Sequence, residues 1–396
     1  MKEKKTATST DAVHAGDVKR KAFDAIPEAI VQTATYTFAD TREILDLAEG
    51  THPRADREEY GRYGNPTCRA LEQRIAALEG VEDAVLFSSG MAAVTTTILA
   101  LAKAGQHVVF FAESYRMTRE FVVRTLGGLG ITHTIVDAGD TAALKDAIRP
   151  ETRLVALESP TNPHLLTTDL DALVSACAPH PRVKTLIDAT FATPINCRPA
   201  AFGVDLVAHS ATKYLAGHND VLAGVVSGSR ATTSLLRDLR GVLGNVCDPH
   251  AAFLVARGMK TLGIRVTKQN ATALALARFL ERHPAVERVF YPGLVSHPTH
   301  AIAAAQMTGF GGVVSFVVKG GLAAASRVVD RVEMARIAPS FGGVESLLEA
   351  PVVMSYHEMS PEERARLGLE DGLVRFAVGI EDAEDVILDL DRALMA

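Results

Sequence analysis

The amino-acid sequence predicts an α/β protein in which helices cover both faces of a mostly parallel central sheet, with a smaller C-terminal α/β domain. Short, largely apolar runs alternate with segments of helical periodicity, which is typical of buried parallel strands joined by crossover helices. Each apolar run ends in polar residues. Hydrophobic residues make up 47% of the 396-residue chain, enough to bury a large core.

The first element is an N-terminal arm, predicted to span residues 1–63 and to contact a neighbouring subunit. This segment is polar and weakly periodic, so it is poorly suited to fold alone and is expected to pack on the body of the protein or on another copy. Helical periodicity begins beyond it. Leu71, Ile75 and Leu78 recur on one face of a helix, and Gly80 is a natural end for that helix.

A large cofactor-binding domain is predicted over residues 64–262. Its strands are expected at the apolar runs 84–87, 107–111, 154–157, 185–187 and 206–209. A helical pattern covers residues 92–104 and is closed by Gly105. Because the carboxyl ends of parallel strands share one edge of a sheet, the polar residues after these runs are expected to form a ligand site together.

The C-terminal domain is predicted over residues 263–396. It is rich in helical patterns and contains two further apolar runs, 312–318 and 373–378, which predict strands. A closing helix is expected to have Glu381 and Asp382 in its first turn, where the helix dipole favours negative charge.

Composition excludes several classes of function. The 41 basic and 47 acidic residues give a net charge of −6, and no basic run occurs beyond Lys2, Lys4 and Lys5, which argues against a nucleic-acid partner. No segment approaches the about 20 consecutive apolar residues of a membrane span. The first residues lack an apolar signal-peptide core, so a cytoplasmic protein is expected. The four widely spaced cysteines fit neither a disulfide framework nor a metal site.

Lys213 is the first candidate for chemistry, since it follows the apolar run 206–209. A partly buried lysine has a lowered pKa and could form a Schiff base with a carbonyl cofactor. A lone lysine is more often a solvated surface residue. Residues 210–213 (SATK) also match the SxxK motif of serine β-lactamases, but the SDN and KTG motifs that should accompany it are absent.

An aspartate and a phosphate cradle complete the candidate site. Asp188 ends a run and could pair with a pyridinium nitrogen, although a helix cap is a common alternative role. Residues 88–91 (SSGM) precede the predicted helix 92–104, and the glycine and backbone N–H groups of this segment could bind a phosphate at the helix N-terminus, with Ser210 and Thr212 adding hydroxyl donors. A helix-capping turn is the alternative for this segment too. Neither a dinucleotide nor a nucleotide triphosphate motif is present. Together these groups predict a pyridoxal phosphate site.

Long motifs then show a family resemblance. They are residues 60–67 (YGRYGNPT), 88–91 (SSGM), 158–163 (ESPTNP) and 210–213 (SATK). Over nearly its whole length the chain resembles the Cys/Met-metabolism family of pyridoxal phosphate enzymes. Within that family it looks most like the plant-type cystathionine γ-synthases, on the strings 59–67, 187–194 (IDATFATP), 217–224 (GHNDVLAG) and 337–343 (IAPSFGG). The resemblance implies a fold-type I transferase of trans-sulfuration and methionine biosynthesis, assembled as a homotetramer of catalytic dimers.

The resemblance also implies a role for each cofactor-binding residue. Lys213 would be the Schiff-base lysine and proton carrier, and Asp188 the partner of the ring nitrogen. Tyr115 would stack on the ring and act as a second acid or base, and Asn162 would contact the cofactor 3-hydroxyl. The phosphate would be held by Gly90, Met91, Ser210 and Thr212, with Tyr60 and Arg62 reaching across a dimer interface.

Substrate recognition is implied for Arg375 and Ser340, because a guanidinium is well shaped to clamp an α-carboxylate. Two positions depart from related enzymes. Met117 stands where plant-type synthases carry a lysine expected to bind a phosphate leaving group, which favours O-acetyl- or O-succinylhomoserine over O-phosphohomoserine. Pro339 stands where many bacterial synthases and lyases carry a glutamate that meets the distal amine of cystathionine, which leaves the second substrate open.

The expected reaction is γ-replacement on an activated homoserine ester, in which cysteine or another nucleophile adds and cystathionine or an analogue is released. The alternative is γ-elimination, of the methionine or cystathionine γ-lyase type, which uses the same residues and releases 2-oxobutanoate and ammonia. A third possibility is a non-catalytic protein of the same fold that binds pyridoxal phosphate. The expected partners are small amino acids and further copies of the chain, with neither nucleic acid nor membrane.

Overall fold

The computed structural model describes residues 6–54 and 57–395, so Lys2, Lys4 and Lys5 lie outside the described residues. Its strands are β1 Asp83–Phe87, β2 His107–Phe111, β3 Thr132–Val136, β4 Thr152–Glu158, β5 Lys184–Asp188, β6 Leu206–Ser210, β7 Gly224–Gly228, β8 Val286–Phe290, β9 Val313–Val318, β10 Arg336–Ile337, β11 Leu347–Glu349 and β12 Leu373–Ala377.

The α-helices lie between and around these strands. They are α1 Ser9–His14, α2 Thr41–Ala48, α3 Pro66–Glu79, α4 Gly90–Leu101, α5 Arg116–Glu120, α6 Leu126–Gly128, α7 Thr141–Ala147, α8 Leu170–Cys177, α9 Thr193–Asn196, α10 Arg230–Leu243, α11 Pro249–Met259, α12 Leu262–Leu280, α13 His300–Gln306, α14 Gly321–Arg331, α15 Pro351–Met354, α16 Pro361–Arg366 and α17 Ala383–Met395. Short 3₁₀ helices lie at Ala22–Asp24 and Pro199–Phe202, and a π-helical segment, Phe121–Thr125, joins α5 to α6.

The larger sheet has seven strands in the order β1-β7-β6-β5-β4-β2-β3. Its strands run parallel except β7, which lies antiparallel between β1 and β6. The five strands predicted from sequence are confirmed as β1, β2, β4, β5 and β6. Two strands were not predicted: β3, which lies partly exposed at the sheet edge, and β7, which begins and ends with glycine.

Both faces of this sheet are covered, as predicted for a mostly parallel sheet. Val108 and Phe110 of β2 pack into a core cluster that includes residues of α4. The alternate residues Val109 and Phe111 pack on the opposite face, in a cluster that includes residues of α8. Since successive side chains of a strand point to opposite faces, this alternation buries β2 completely.

Two helices that lead into the site begin and end for clear reasons. Asn65 caps α3 by accepting hydrogen bonds from the N–H groups of Thr67 and Cys68, and the helix ends at Gly80 with a φ of 76°, as predicted. Helix α4 ends at Leu101, three residues earlier than the predicted end. Ala102 adopts an extended conformation there and is buried in the core.

The smaller sheet has five strands in the order β10-β11-β12-β9-β8. The two predicted strands are confirmed as β9 and β12, whereas β8, β10 and β11 were not predicted. The expected start of the closing helix is wrong. Helix α17 has Glu384 and Asp385 in its first turn, because Glu381 instead accepts hydrogen bonds from the backbone N–H and the hydroxyl of Ser346, at 2.6 and 2.9 Å.

Helix α12 joins the cores of the two sheets. Leu262 and Val266 pack into the cluster that includes β1 and β7 residues, whereas Leu276 and Leu280 pack into the cluster on the smaller sheet. The predicted division of the chain after residue 262 falls at the first turn of this helix and stays a prediction. Within the described residues, no helix has both the length and the apolar character that a bilayer crossing requires.

The weak periodicity of the N-terminal arm predicts a loop-like segment, and this is wrong, because the arm contains helices α1 and α2. Ala7 and Ala12 are buried in the core of the body, and the Ala7 N–H donates to the Pro194 carbonyl at 2.9 Å. Arg74 of α3 pairs with Asp17 at 2.5 Å. The start of the arm therefore packs on its own chain, and contact with a neighbouring subunit stays a prediction.

Candidate active site

Asp188 and Ser210 are the last residues of the neighbouring strands β5 and β6, as expected for a site at one sheet edge. Thr190 connects them. Its hydroxyl donates to Asp188 Oδ1 at 2.5 Å and accepts from the Ser210 N–H at 2.8 Å, and its own N–H donates to the same carboxylate oxygen at 3.0 Å. Burial raises the pKa of Asp188, while the Thr190 hydrogen bonds act against that rise.

Thr190 was not predicted as a site residue. The available signal was a hydroxyl residue two positions after an aspartate at a strand end, where the side chain and backbone commonly bond to each other. Its position fixes one oxygen of Asp188.

The N-terminus of helix α4 lies against strand β6. A Cβ added at Gly90 would lie 2.8 Å from Ser210 Cβ, so only glycine allows the helix to approach this closely. Ser89 caps the helix by accepting from the Ala92 N–H at 3.1 Å. The N–H groups of Gly90 and Met91 are in the first helical turn, where they have no carbonyl partner within the helix and favour an anion.

Thr212 was also predicted to contact phosphate. Its hydroxyl donates to the Ala223 carbonyl at 3.2 Å and accepts from the Ala223 N–H at 3.0 Å. These contacts hold the segment after β6 against the start of β7. Any role of Thr212 toward a phosphate stays a prediction.

Lys213 lies just beyond this segment, with its amine turned toward the smaller sheet. Its Nζ donates to Ser340 Oγ at 2.6 Å and lies 5.2 Å from the centre of the Phe341 ring. Burial lowers the pKa of Lys213 to about 8, and the positive charge of Arg375 contributes to the same direction, while Glu349 opposes it. A lysine in this state is readily deprotonated, so it can act as a nucleophile or a base.

Ser340 joins the lysine to the predicted carboxylate clamp. Its backbone has a φ of 96°, a strained conformation for a residue other than glycine. Its hydroxyl accepts from Lys213, and its carbonyl accepts from Arg375 Nη2 at 3.3 Å. Arg375 Nη1 donates to Asn162 Oδ1 at 3.0 Å. The structure therefore brings Lys213, Ser340, Arg375 and Asn162 together in one hydrogen-bonded chain.

Glu349 is a further residue of this site that was not predicted from the sequence. Its carboxylate pairs with Arg375 Nη2 at 2.9 Å, and both side chains are buried. The only sequence signal was one acidic residue within an otherwise apolar run, 347–353.

Tyr115 lies beyond β2 at the start of helix α5. Its backbone N–H donates to Glu158 Oε2 at 2.8 Å, and its side chain is 46% exposed. Burial raises the pKa of Glu158 well above the ordinary range, and the charge of Asp188 contributes to the rise. The sulfur of Met91 accepts from the Thr118 hydroxyl at 3.4 Å, which places α5 beside the N-terminus of α4.

Tyr60 and Arg62 lie apart from these groups. Arg62 Nη1 donates to the Gly241 carbonyl at 2.6 Å, and its guanidinium lies 4.7 Å from the Tyr63 ring centre and 5.5 Å from that of Tyr60. The Tyr60 side chain is 42% exposed. In the described part of the chain, their contacts include neither Lys213 nor any other residue of the hydrogen-bonded chain. A role across a subunit interface stays a prediction.

Comparison with known proteins identifies the family of this chain. Residues 9–395 match the family described as Cys/Met metabolism PLP-dependent enzyme. The chain belongs to this family. The predicted family is thus confirmed, and with it the pyridoxal phosphate cofactor.

Individual relatives within the family agree over most of the chain. Cystathionine gamma-synthase 1, chloroplastic, of Nicotiana tabacum is 48% identical over 386 residues, which cover 97% of this chain and 71% of the tobacco protein. The L-methionine gamma-lyase of Fusobacterium nucleatum subsp. polymorphum is 40% identical over 400 residues, covering 100% of this chain and 99% of the lyase. The crystal structure of metB from Corynebacterium glutamicum has a TM-score of 0.91 at 36% identity, covering 98% and 97% of the two chains, which confirms the fold-type I architecture.

The residues at the sheet edge fit the family cofactor. The close approach of Gly90 to Ser210 leaves helix N–H groups and a hydroxyl beside each other, a donor set suited to a phosphate. Asp188 keeps its second carboxylate oxygen outside the Thr190 hydrogen bonds, so it can accept from a ring N–H. Lys213 supplies a primary amine of lowered pKa.

Proposed function

We propose that the protein catalyses γ-replacement on an activated homoserine ester, in which cysteine or another nucleophile adds at Cγ to give cystathionine or an analogue. The observation that carries this proposal is the 48% identity to a protein named cystathionine gamma-synthase, which favours replacement over elimination. The hydrogen-bonded chain from Lys213 through Ser340 to Arg375 suits either reaction on an amino acid. It holds a base of lowered pKa beside a group that can bind an α-carboxylate.

The chain's own residues divide the work of this reaction. Pyridoxal phosphate, when bound, supplies an electron sink for negative charge at the substrate Cα. Lys213 removes and returns protons at the substrate, and Asp188 meets the ring nitrogen of the cofactor. Arg375 and Ser340 orient the α-carboxylate, which places the Cα–H near the lysine amine. Tyr115, exposed at the start of α5, acts as a second acid or base.

An O-acyl ester, such as O-acetyl- or O-succinylhomoserine, is the proposed leaving-group class. Met117 brings no positive charge to the place where related synthases carry a lysine. The neighbouring Arg116 already pairs with Glu358 at 3.4 Å, so its charge is partly neutralised. Both observations favour an acyl group over a phosphate. The nucleophile remains cysteine or a compound of similar chemistry.

The second candidate function is γ-elimination. Proteins named L-methionine gamma-lyase are about as long as this chain and 40% identical to it, which is the observation that favours this alternative. Elimination uses the same base, clamp and cofactor residues, and ends in 2-oxobutanoate and ammonia instead of a replacement product.

We further propose a homotetramer of two catalytic dimers that acts in the cytoplasm on small amino acids. The exposed Tyr60 and the position of Arg62 beside it support a role of the arm in a neighbouring site. The four cysteines are unpaired and buried, which suits a reducing compartment.

Product analysis by mass spectrometry tests the proposed function. The purified holoenzyme is given O-acetyl-, O-succinyl- or O-phosphohomoserine, each with and without cysteine. We expect cystathionine only when cysteine is present, with an acyl ester as the best substrate. Predominant 2-oxobutanoate in the presence of cysteine would establish the lyase alternative, and preference for the phosphate ester would overturn the leaving-group proposal.

A further inference from the structure

Glu349 and Arg375 form a buried ion pair inside the proposed substrate site. They are direct partners in the antiparallel pairing of β11 and β12, so the backbone register fixes their side chains next to each other. Glu349 is 1% exposed and Arg375 is 5% exposed. The predicted carboxylate clamp therefore already holds a carboxylate that belongs to the protein.

The pair leaves part of both groups unused. Glu349 contacts the guanidinium through Oε1, which also accepts from the Ser355 hydroxyl at 3.4 Å. Glu349 Oε2 and Arg375 Nε are both buried and have no hydrogen-bond partner in the described part of the chain. Arg375 also donates to Asn162 and Ser340. Together with Glu349, these acceptors hold the guanidinium plane, while its Nε–H donor stays unused among the described residues.

We propose that Glu349 is a resident counter-ion of Arg375 that limits how strongly the site binds the α-carboxylate of an amino-acid substrate. This inference rests on the proposed function, in which Arg375 binds that carboxylate. A neutral Arg–Glu pair attracts an incoming anion less than an uncompensated guanidinium does, and the difference is large in the protein interior, where charges are poorly screened.

The position of Glu349 also affects the base. The same two side chains act on Lys213 in opposite directions, Arg375 lowering its pKa and Glu349 raising it. Glu349 thus reduces the net positive charge felt both by a bound carboxylate and by the lysine amine. Because the α-carboxylate keeps its charge throughout the reaction, Glu349 weakens binding of the ground state and the transition state alike, which raises KM without changing kcat.

The test uses the holoenzyme with Glu349→Gln, which keeps the size of the side chain and an acceptor oxygen but removes the charge. The probe is propionate, a carboxylate without an amine, with propionamide as its uncharged counterpart. We expect the inhibition constant of propionate to fall by about tenfold and that of propionamide to stay unchanged. The KM of the homoserine ester should fall as well, without a matching rise in kcat.

Glu345→Gln is the matched control. Glu345 is an exposed acidic residue in the segment before β11, where it accepts from Asn219 Nδ2 at 2.8 Å, so its loss should leave propionate binding unchanged. A folded Glu349→Gln enzyme that binds propionate as the wild type does, or more weakly, overturns the proposal. Damage to the fold alone would weaken binding and cannot produce the expected gain.

Two further variants keep the result interpretable. If Glu349→Gln does not fold, Glu349→Asp replaces it, because the shorter side chain moves the charge away from Arg375 by one methylene. This variant should tighten propionate binding by a smaller factor. An unchanged inhibition constant of propionate overturns the proposal. Arg375→Gln should remove propionate inhibition. If it does so while Glu349→Gln has no effect, only the counter-ion inference fails. If Arg375→Gln leaves inhibition intact, the proposed role of Arg375 fails as well.

Discussion

The protonation state of the Lys213 amine is set by its burial and by two opposite charges, those of Arg375 and Glu349. Burial lowers the pKa most, Arg375 lowers it further, and Glu349 raises it, which together give a pKa of about 8. The hydroxyl of Ser340 accepts a hydrogen bond from this amine at 2.6 Å, and the Ser340 carbonyl accepts one from Arg375, so the amine is held near the guanidinium. One residue thus combines positioning with a protonation state suited to chemistry near neutral pH.

The lowered pKa predicts how fast the cofactor-free protein takes up pyridoxal phosphate. Only a neutral amine attacks a carbonyl, so the uptake rate should rise with pH through a midpoint near 8, instead of near the 10.5 of an ordinary lysine. Stopped-flow absorbance over a pH series measures this rate. Lys213→Arg provides the control, because it should show no covalent uptake. A midpoint near 10.5 would contradict the environment described for this amine.

Thr190 supports a second prediction at the same scale. Replacing it by valine removes the hydroxyl that donates to Asp188 and accepts from Ser210. One hydrogen bond to a charged group is worth about 1.5–3 kcal/mol, so cofactor affinity should fall by about tenfold or more. Thr190→Ser keeps the hydroxyl and should behave almost as the wild type. Fluorescence titration of the cofactor-free proteins measures these affinities. If Thr190→Val binds the cofactor as tightly as Thr190→Ser, this hydroxyl does not position Asp188.

Site residues that belong to a local sequence pattern were predicted. Those that reach the site only through tertiary structure were missed. Asp188, Ser210 and Lys213 follow apolar runs, so the sequence indicates their place at the sheet edge. Glu349 reaches Arg375 only through the register of β11 and β12, which no local spacing contains. The roles assigned by resemblance to Tyr60 and Asn162 stay predictions.

At the scale of elements, predictions succeeded for buried strands with a run of large apolar residues, whereas the buried strand β7, which begins and ends with glycine, was missed. In β2 four apolar residues follow His107, and an apolar run of this kind predicts a strand that is buried on both faces. Strand β3 begins with three polar residues and is partly exposed at the sheet edge, and both residues of β10 are exposed, so neither pattern stands out from a loop. The start of α17 was predicted too early, because acidic residues suit a helix N-terminus equally well in the first turn and just before it.

His107 links three strands of the larger sheet and supports a prediction about stability. It is buried on β2, with Nδ1 2.9 Å from the Thr152 hydroxyl on β4 and Nε2 3.0 Å from the Thr134 hydroxyl on β3. Burial lowers the pKa of His107 to about 4, with a smaller contribution from Arg149. His107→Phe removes both hydrogen bonds and should lower the free energy of unfolding by about 2–4 kcal/mol.

The same residue predicts a dependence on pH. Between pH 6.5 and about 4 the histidine takes up a proton in the unfolded chain but not in the folded one, so the wild type should lose stability as the pH falls through this range. His107→Phe should lack this part of the loss. Urea unfolding at neutral and mildly acidic pH measures it, with the exposed His250→Phe as control. Equal acid sensitivity of the His107 variant and the wild type would contradict a neutral buried histidine.

At the scale of the whole molecule, the site joins groups from both sheets. Lys213 follows β6 of the larger sheet, whereas Arg375 lies on β12 and Ser340 between β10 and β11 of the smaller one. Helix α12 packs into the cores of both sheets and so links their positions. The chemistry at Lys213 therefore depends on the placement of two sheets, which explains why a motif at one strand end identified the cofactor but not the full substrate site.

The N-terminal arm is proposed to complete the site of a second copy of the chain, and complementation between two inactive variants tests this. If Tyr60 and Arg62 act across an interface, a chain with Tyr60→Phe and Arg62→Gln and a chain with Lys213→Ala should each be inactive alone. When the two variants are co-expressed, or mixed and refolded together, activity should return. A hybrid dimer then contains one site that has both an intact Lys213 and an intact arm from the partner. Random pairing makes about a quarter of all sites intact, so about a quarter of the wild-type activity is expected. A size-exclusion profile verifies assembly of the hybrid, and mixtures that assemble but stay inactive would show that each chain supplies Tyr60 and Arg62 to its own site.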